Sequence, residues 1–365
     1  MGKQFTFINA RVIDPKVESE TTGTLTINDG LIEKRDGGIK GKVIDCGGMC
    51  LAPGIIDIGV KVCEPGEKHK ESFRSASNAA AIGGVTSLVT RPDTKPSIDN
   101  PELLEFFKNR GKEFSKVRIF PTASLTKKNN GKKMTEIGFL HEGGAVAFTD
   151  GFNSIPNTKT FHTILKYASD FDTLIIGHPQ DHFLTQSTSA SSGVFASIKG
   201  LSSSPNIAEK IGIERDTALV NNINIRYHAD QITTKIGLDV LRHAKKNNDR
   251  LTAGTSVHHI LFNELDIGNY RTFFKLKPPL RSNADREALT EAIREGLIDN
   301  ICSMHTPQDE ESKRLPFEEA APGAVGLETI LPASLSLYHN KILSLNQLFR
   351  LLALNPANII KKSFV

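Results

Sequence analysis

The sequence predicts an α/β protein built on one parallel (β/α)8 TIM-like barrel, preceded by a small all-β segment. Three observations carry this expectation. The chain has 365 residues, a length that suits one large α/β barrel or two ordinary domains. Its first 50 residues are short β-type runs separated by turn dipeptides. From Pro53 onward, short apolar runs alternate with helical patterns, the signature of repeated βα units.

The early β segments are residues 4–12, 24–28 and 41–45, set apart by Asp-Gly, Gly-Gly and Lys-Gly turn signals. The barrel strands are expected at 55–58, 86–90, 117–121, 144–148, 173–177, 224–228, 250–255 and 300–303. Helices are expected between them at 72–82, 101–110, 207–221, 237–247 and 283–296. The last of these starts at Ser282-Asn-Ala-Asp, an N-cap residue followed by early acidic charge. The Ser-rich stretch 187–204 reads as a mobile loop, and no internal repeat is present. In a parallel barrel the functional side chains follow the carboxyl ends of the strands.

Composition narrows the function classes. With 45 basic against 41 acidic residues the net charge is only +4, and the short lysine runs (Lys127, Lys128, Lys132, Lys133 and Lys245, Lys246) are read as solvated loops. With no tryptophan, four tyrosines and no zinc-finger or RNP spacing, nucleic-acid binding is not expected. Cys46 and Cys50 lack a second pair to complete a thiolate metal site, since Cys63 and Cys302 stand apart, so all four cysteines read as structural thiols. No stretch approaches 18 consecutive apolar residues and no charged-then-apolar leader opens the chain, so a soluble, cytoplasmic protein is expected.

The strand ends supply the chemistry. Pro53-Gly-Ile-Ile-Asp57, Glu64-Pro65-Gly66, Ala81-Ile-Gly-Gly-Val-Thr86 and Arg91-Pro-Asp-Thr occur in that order. They are followed by Phe148-Thr-Asp150-Gly151, Gly177-His178-Pro, Thr233-Thr-Lys235, Thr255-Ser-Val-His258-His259, Pro278-Pro-Leu-Arg281 and the 315–329 block. Together these resemble the dihydroorotases of the amidohydrolase superfamily, of the type whose bridging metal ligand is an aspartate. The resemblance covers almost the whole chain. It implies an amidohydrolase (β/α)8 barrel over 53–365 and a small β-sandwich subdomain over 1–52.

Such enzymes use one or two zinc ions to generate hydroxide and polarise a cyclic amide. Set against that pattern, this chain has lost most of the required groups. The His-x-His pair of the first strand is Gly59 and Lys61, which supply no imidazole and add an ammonium. The bridging aspartate remains as Asp150 and the next ligand as His178, whereas the following histidine is Gln231. His228 lies three residues before Gln231 and matches a histidine that the family also has there. The aspartate that binds metal and serves as general base is Met304, which can take no proton from water. Substrate contacts are replaced at Cys63, Asp93, Lys277 and Gln308.

The catalytic constellation is therefore expected to be broken, with zinc lost or weakly held and Asp150 and His178 left as remnants joined by a hydrogen bond. Lys61 is expected to pair with Asp150 in place of the missing metal charge. Cys63 and Met304 are expected to be packed apolar groups, and His258-His259 to face opposite ways on a strand rather than form a ligand pair. The resemblance implies one of two roles. The first is a non-catalytic, structural or regulatory companion of aspartate transcarbamoylase in pyrimidine biosynthesis. The second is an active or weakly active hydrolase interconverting N-carbamoyl-aspartate and dihydroorotate, working through Asp150, His178 and His228. A homo-oligomer is the default assembly.

Overall fold

The computed structural model describes residues 4–35, 38–246 and 248–362. The chain opens with β1 (Gln4–Asp14), β2 (Ser19–Asn28), β3 (Leu31–Arg35), β4 (Lys42–Asp45) and β5 (Cys50–Leu51). They form one five-stranded sheet of order β3-β2-β1-β4 in which β5 also pairs with β1. The sheet is seated on the barrel where Ile13 packs with Leu345 and Phe349.

The barrel strands are β6 (Ile55–Val60), β7 (Val85–Thr90), β8 (Arg118–Pro121) and β9 (Leu174–Gly177). After β10 (Ala190–Ser191) and β11 (Ser203–Ser204) come β12 (Arg226–Ala229), β13 (Leu251–Ser256) and β14 (Asn300–Cys302). Parallel pairing joins β6-β7-β8 and β14-β13-β12-β9. The expected strand at 144–148 fills the place between them irregularly. Only Phe148 forms bridges, to Ala123 and Ile175, and the Val146 N–H donates to the Pro121 carbonyl at 3.0 Å. The ring closes between β14 and β6, where the Ser303 N–H donates to Asp57 at 2.8 Å and the Lys61 N–H to the His305 carbonyl at 3.0 Å.

Strand alternation sorts the core into two layers. Ile56, Ile58, Val89, Ala147, Leu174 and Ile176 face the barrel interior, plugged from below by Ala357, Ile359 and Ile360. Their neighbours, among them Ile55, Leu88, Ile175, Tyr227 and Ala253, face outward against the helices. The helices begin where their caps dictate. Ser72 makes a capping box for Phe73–Ile82, Asn100 precedes Pro101–Phe114 with Pro at its first position, and Ser282 caps Asn283–Arg294.

Three expectations change. The stretch 187–204 is not a featureless loop, because β10 and β11 pair in parallel around a helix, Val194–Lys199. His258 and His259 lie on a short helix, Val257–Leu261, and not on a strand, because β13 ends at Ser256. The helix expected at 237–247 starts earlier, as Lys235–Lys245 behind an N-cap at Thr234, and Asn247 lies outside the described residues. Among the described residues, no helix is long and apolar enough to cross a membrane.

Packing around β9 is tight enough to test. A Cβ at Gly177 would lie 1.9 Å from the hydroxyl of Tyr227, which is itself held at 2.6 Å by buried Asp216. Gly177→Ala is therefore expected to destabilise the fold by about 2 kcal/mol or more in denaturant unfolding, the overpacking range. A loss below about 0.5 kcal/mol, the level of ordinary surface changes, contradicts this packing.

Candidate functional site

Most positions singled out above fall at the carboxyl end of a barrel strand, where such barrels place their chemistry, while His228 lies within β12 and Lys277 in the long connection after β13. Gly59 is the penultimate residue of β6 and Lys61 follows that strand; Arg91 and Asp93 follow β7; His178 follows β9; Gln231 follows β12; Met304 follows β14. The backbone keeps unusual turns at the altered positions. Gly59 has φ +90 within a bulge of β6, and Gln231 and Met304 have φ +59 and +54, a region non-glycine residues rarely adopt. The scaffold thus aims these positions into the mouth, while Gly59, Lys61, Gln231 and Met304 offer neither an imidazole nor a carboxylate there.

Arginine occupies the centre. Arg91 grips Asp93 with two parallel bonds, Nε to Oδ1 at 3.0 Å and Nη2 to Oδ2 at 3.1 Å, a bidentate fork. Its Nη1 donates to Thr306 at 3.3 Å, and its face stacks 3.9 Å from the Phe152 ring. Lys61 reaches the same carboxylate, with Nζ 3.3 Å from Asp93 and 3.9 Å from Glu67. Glu67 in turn takes Lys70 at 2.8 Å and Lys95 at 3.0 Å. Burial opposes the charge on Asp93, but Arg91 and Lys61 outweigh it and hold its pKa down at about 2.

This corrects two expectations. Lys61 does not pair with Asp150; it is drawn to Asp93 and Glu67, the carboxylates that flank it. Nor does Asp150 bond His178. The Asp150 carboxylate accepts the Thr126 N–H at 2.9 Å and the Thr126 hydroxyl. Burial nevertheless pushes Asp150 up to about 6, since those two bonds only partly restore its lost hydration.

His178 is buried with Nδ1 lacking a partner among the described residues, edge-on to Phe152 with ring centroids 5.5 Å apart. Burial first, then Lys277, Arg91 and Arg281, drive its pKa well below that of free imidazole, so it is neutral. A neutral imidazole can bind a metal, but one ringed by cations repels an approaching dication. Gln231 donates to Asp230 and to the Cys302 sulfur, both at 3.0 Å. Met304 is buried among Ile267, Leu276, Leu280 and Phe317, and burial raises the Cys63 thiol to about 11. Gln308 donates to the Pro322 carbonyl at 2.9 Å. The histidine doublet is structural at His259, which bonds Ser256 at 2.8 Å and approaches the Pro278 carbonyl at 3.2 Å.

Zinc, which the resemblance implies, does not fit these residues. Among the described residues no three His, Cys, Asp or Glu side chains gather in a group that could hold a metal ion. The space bounded by Gly59, Arg91, Thr122, Thr149 and Asp230 is about 10 Å³, room for roughly one water.

Two residues that sequence reasoning passed over complete this arrangement. Asp230 lies 3.7 Å from where a Cβ on Gly59 would stand, and burial lifts its pKa to about 7 against the pull of Arg91. Arg91 was visible in the Arg91-Pro-Asp-Thr segment, two residues before a position already marked as changed. What gave no signal was that the arginine and the aspartate compensate one another.

Two measurements test this site. Arg91→Met removes the counter-charge of Asp93 and Asp230, and its destabilisation in denaturant unfolding should approach about 3 kcal/mol. With Asp93→Asn the pair should couple by about 1–3 kcal/mol in a double-mutant cycle, and additivity within about 0.5 kcal/mol would show that the fork does not stabilise the mouth. For Asp150 the native pKa lies above the unfolded value of 3.8. Its contribution to stability is therefore present below pH 3.8 and lost as pH rises through about 6. Asp150→Asn should abolish that decline, so the variant gains on the parent, by on the order of 3 kcal/mol, between pH 4 and pH 7. A pH-independent difference between the two proteins contradicts the burial of an ionisable Asp150.

Comparison with known proteins bears on the family and the fold. A family model described as dihydro-orotase-like matches residues 48–237. A dihydroorotase of Ehrlichia canis is 38% identical over 364 residues, covering 97% of this chain and 81% of the relative. One from Bacillus pumilus is 39% identical over 319 residues, covering 87% and 73%. A dihydroorotase-like protein of Pseudomonas putida is 32% identical over 358 residues, covering 97% and 84%. Among solved structures, the L-hydantoinase of Arthrobacter aurescens superposes with a TM-score of 0.87 at 22% identity, over 99% of this chain and 83% of that one, which shows a shared fold. An ordered set of strand-end motifs, a closed parallel barrel and extensive identity to dihydroorotases converge: the chain belongs to the dihydroorotase family.

Proposed function

We propose that this protein is a dihydroorotase-like member of pyrimidine biosynthesis that does not catalyse the ring closure, and that it serves as a structural or regulatory partner of aspartate transcarbamoylase in a reducing cytoplasm. One observation carries the first half. The mouth of the barrel balances its charge with the Arg91–Asp93–Lys61 network, where a hydrolase of this family needs metal ligands. The general-base position is Met304, and a thioether cannot accept the proton of an attacking water. The partnership rests on the family resemblance, and free Cys46, Cys50, Cys63 and Cys302 suit a reducing compartment.

A hydrolytic reading would draw its acid–base groups from Asp150, His178 or His228. Asp150 is tied to Thr126, and among the described residues nothing bonds His178 Nδ1 to orient the ring. His228 is fully buried within the strands, bonded to Thr252 at 2.9 Å, and burial lowers its pKa to about 3. These engagements favour the non-catalytic reading.

Protein purified and dialysed in the presence of zinc is expected to carry no stoichiometric metal, and to turn over neither dihydroorotate nor N-carbamoyl-aspartate above a blank. Stoichiometric zinc with turnover overturns the reading. Mixed with aspartate transcarbamoylase of the same organism, the protein is expected to co-elute on size exclusion. Clean separation at concentrations of tens of micromolar, where an affinity of about −8 kcal/mol would be visible, removes the partnership.

A further inference from the structure

The opposite end of the barrel holds a cleft that the mouth chemistry does not use. It lies at the amino ends of β9, β12 and β13, has a volume of about 390 Å³, and is walled by Leu174, Ile359, Asp172, Arg226, Arg250 and Lys361. That volume is within the span of small-molecule sites, roughly 300–1,000 Å³.

Its lining holds three cations, Arg226, Arg250 and Lys361, and three carboxylates, of which only Asp172 pairs with any of these cations among the described residues. A single carboxylate, Asp172, is shared by Arg250 and Lys361, one on each oxygen. Among the described residues, Asp172 is the acid that acts on Arg226, which is half-buried and donates to the Ile359 carbonyl. Burial, with Arg250 adding to it, works against the Arg226 charge, and Asp172 only partly offsets this. Arg250 Nε is buried without an acceptor among the described residues. Among the described residues, neither of the two other acids in the lining is ion-paired with these cations. Asp299 is bound by Lys245 at 2.7 Å and by the Ala253 N–H at 2.7 Å, and Asp249 is exposed at the rim. Arg250 and Lys361 thus share one anion while Arg226, beside them, pairs with none among the described residues, and next to an apolar wall a further anion would meet unused guanidinium donors.

We propose that this cleft binds a phosphate monoester, with the phosphoryl group held by Arg226, Arg250 and Lys361 and its organic part lying against Leu174 and Ile359. A phosphoryl group suits the site better than a carboxylate. It carries up to two charges and offers tetrahedral acceptors to donors arriving from three separate chain segments, whereas a carboxylate presents a single plane. The cleft is also larger than a bare phosphate requires, and its apolar side favours an attached organic group. The proposal is independent of whether the barrel mouth is catalytic.

Titration of the full chain with phenyl phosphate, inorganic phosphate and chloride at matched ionic strength tests it, read by calorimetry and phosphorus NMR. Phenyl phosphate is expected to bind saturably, inorganic phosphate more weakly, and chloride not at all. Arg226→Met should weaken phenyl phosphate at least tenfold. Asp172→Asn should tighten it severalfold by releasing the cations, and Asn tolerates the positive φ of 47° at that position. If Arg226→Met fails to fold, Lys361→Met at the more exposed side of the cleft serves instead, with an expected loss of at least threefold. Phosphate binding no tighter than chloride, binding unchanged by either cation variant, or weakening by Asp172→Asn overturns the assignment. Equal affinity for inorganic and phenyl phosphate overturns the monoester.

Discussion

Charge balance at the crowded mouth of a parallel barrel is the constraint on which the rest of this site depends. Strands converging on one axis bring their terminal side chains within a few ångströms of one another, in surroundings where an uncompensated charge is costly. In a metal-dependent hydrolase the carboxylates and imidazoles there are answered by cations bound from solution. Here the cations are covalent parts of the chain. Arg91 answers Asp93 and Asp230, Lys61 answers Asp93 and Glu67, and the space left holds about one water.

Once that substitution is made, the neighbouring changes become mutually consistent. An aspartate at position 93 opposes an anionic substrate in isolation, but beneath the Arg91 fork it is a neutralised partner. Met304 and Cys302 turn their part of the mouth into an apolar cluster with Leu280 and Phe317. His178 is kept neutral by burial and by the surrounding cations. Each residue alone reads as a loss. Together they form a packed mouth, with Gln231 bonded to Asp230 and Cys302 where an imidazole ligand is expected.

The scaffold around the mouth is held by interactions that need no metal. Buried Glu209 accepts the N–H and hydroxyl of both Thr233 and Thr234 and also faces Arg281, which fixes the turn carrying Gln231. His305 bonds Glu71 at 2.8 Å, tying the last strand end to the segment after β6. A densely bonded polar network of this kind favours one arrangement of a loop, here the turn that carries Gln231.

Strand and helix order, the Ser282 cap, and the side chains at positions 59, 61, 231 and 304 were all legible in the sequence, because each depends on residues near one another in the chain or on an ordered motif. The irregular strand around Phe148 and the helix beneath His258 were not, since propensity there yields to what the adjacent strands leave available. Nor was the pairing of charges. Lys61 had several acids within plausible reach, and Arg91 meets Thr306 across 215 residues of sequence, so only the folded barrel decided which carboxylate each cation serves. Local pattern carries the period and the turn, but the energy of a buried charge is set by everything packed around it, and that is a property of the tertiary structure alone.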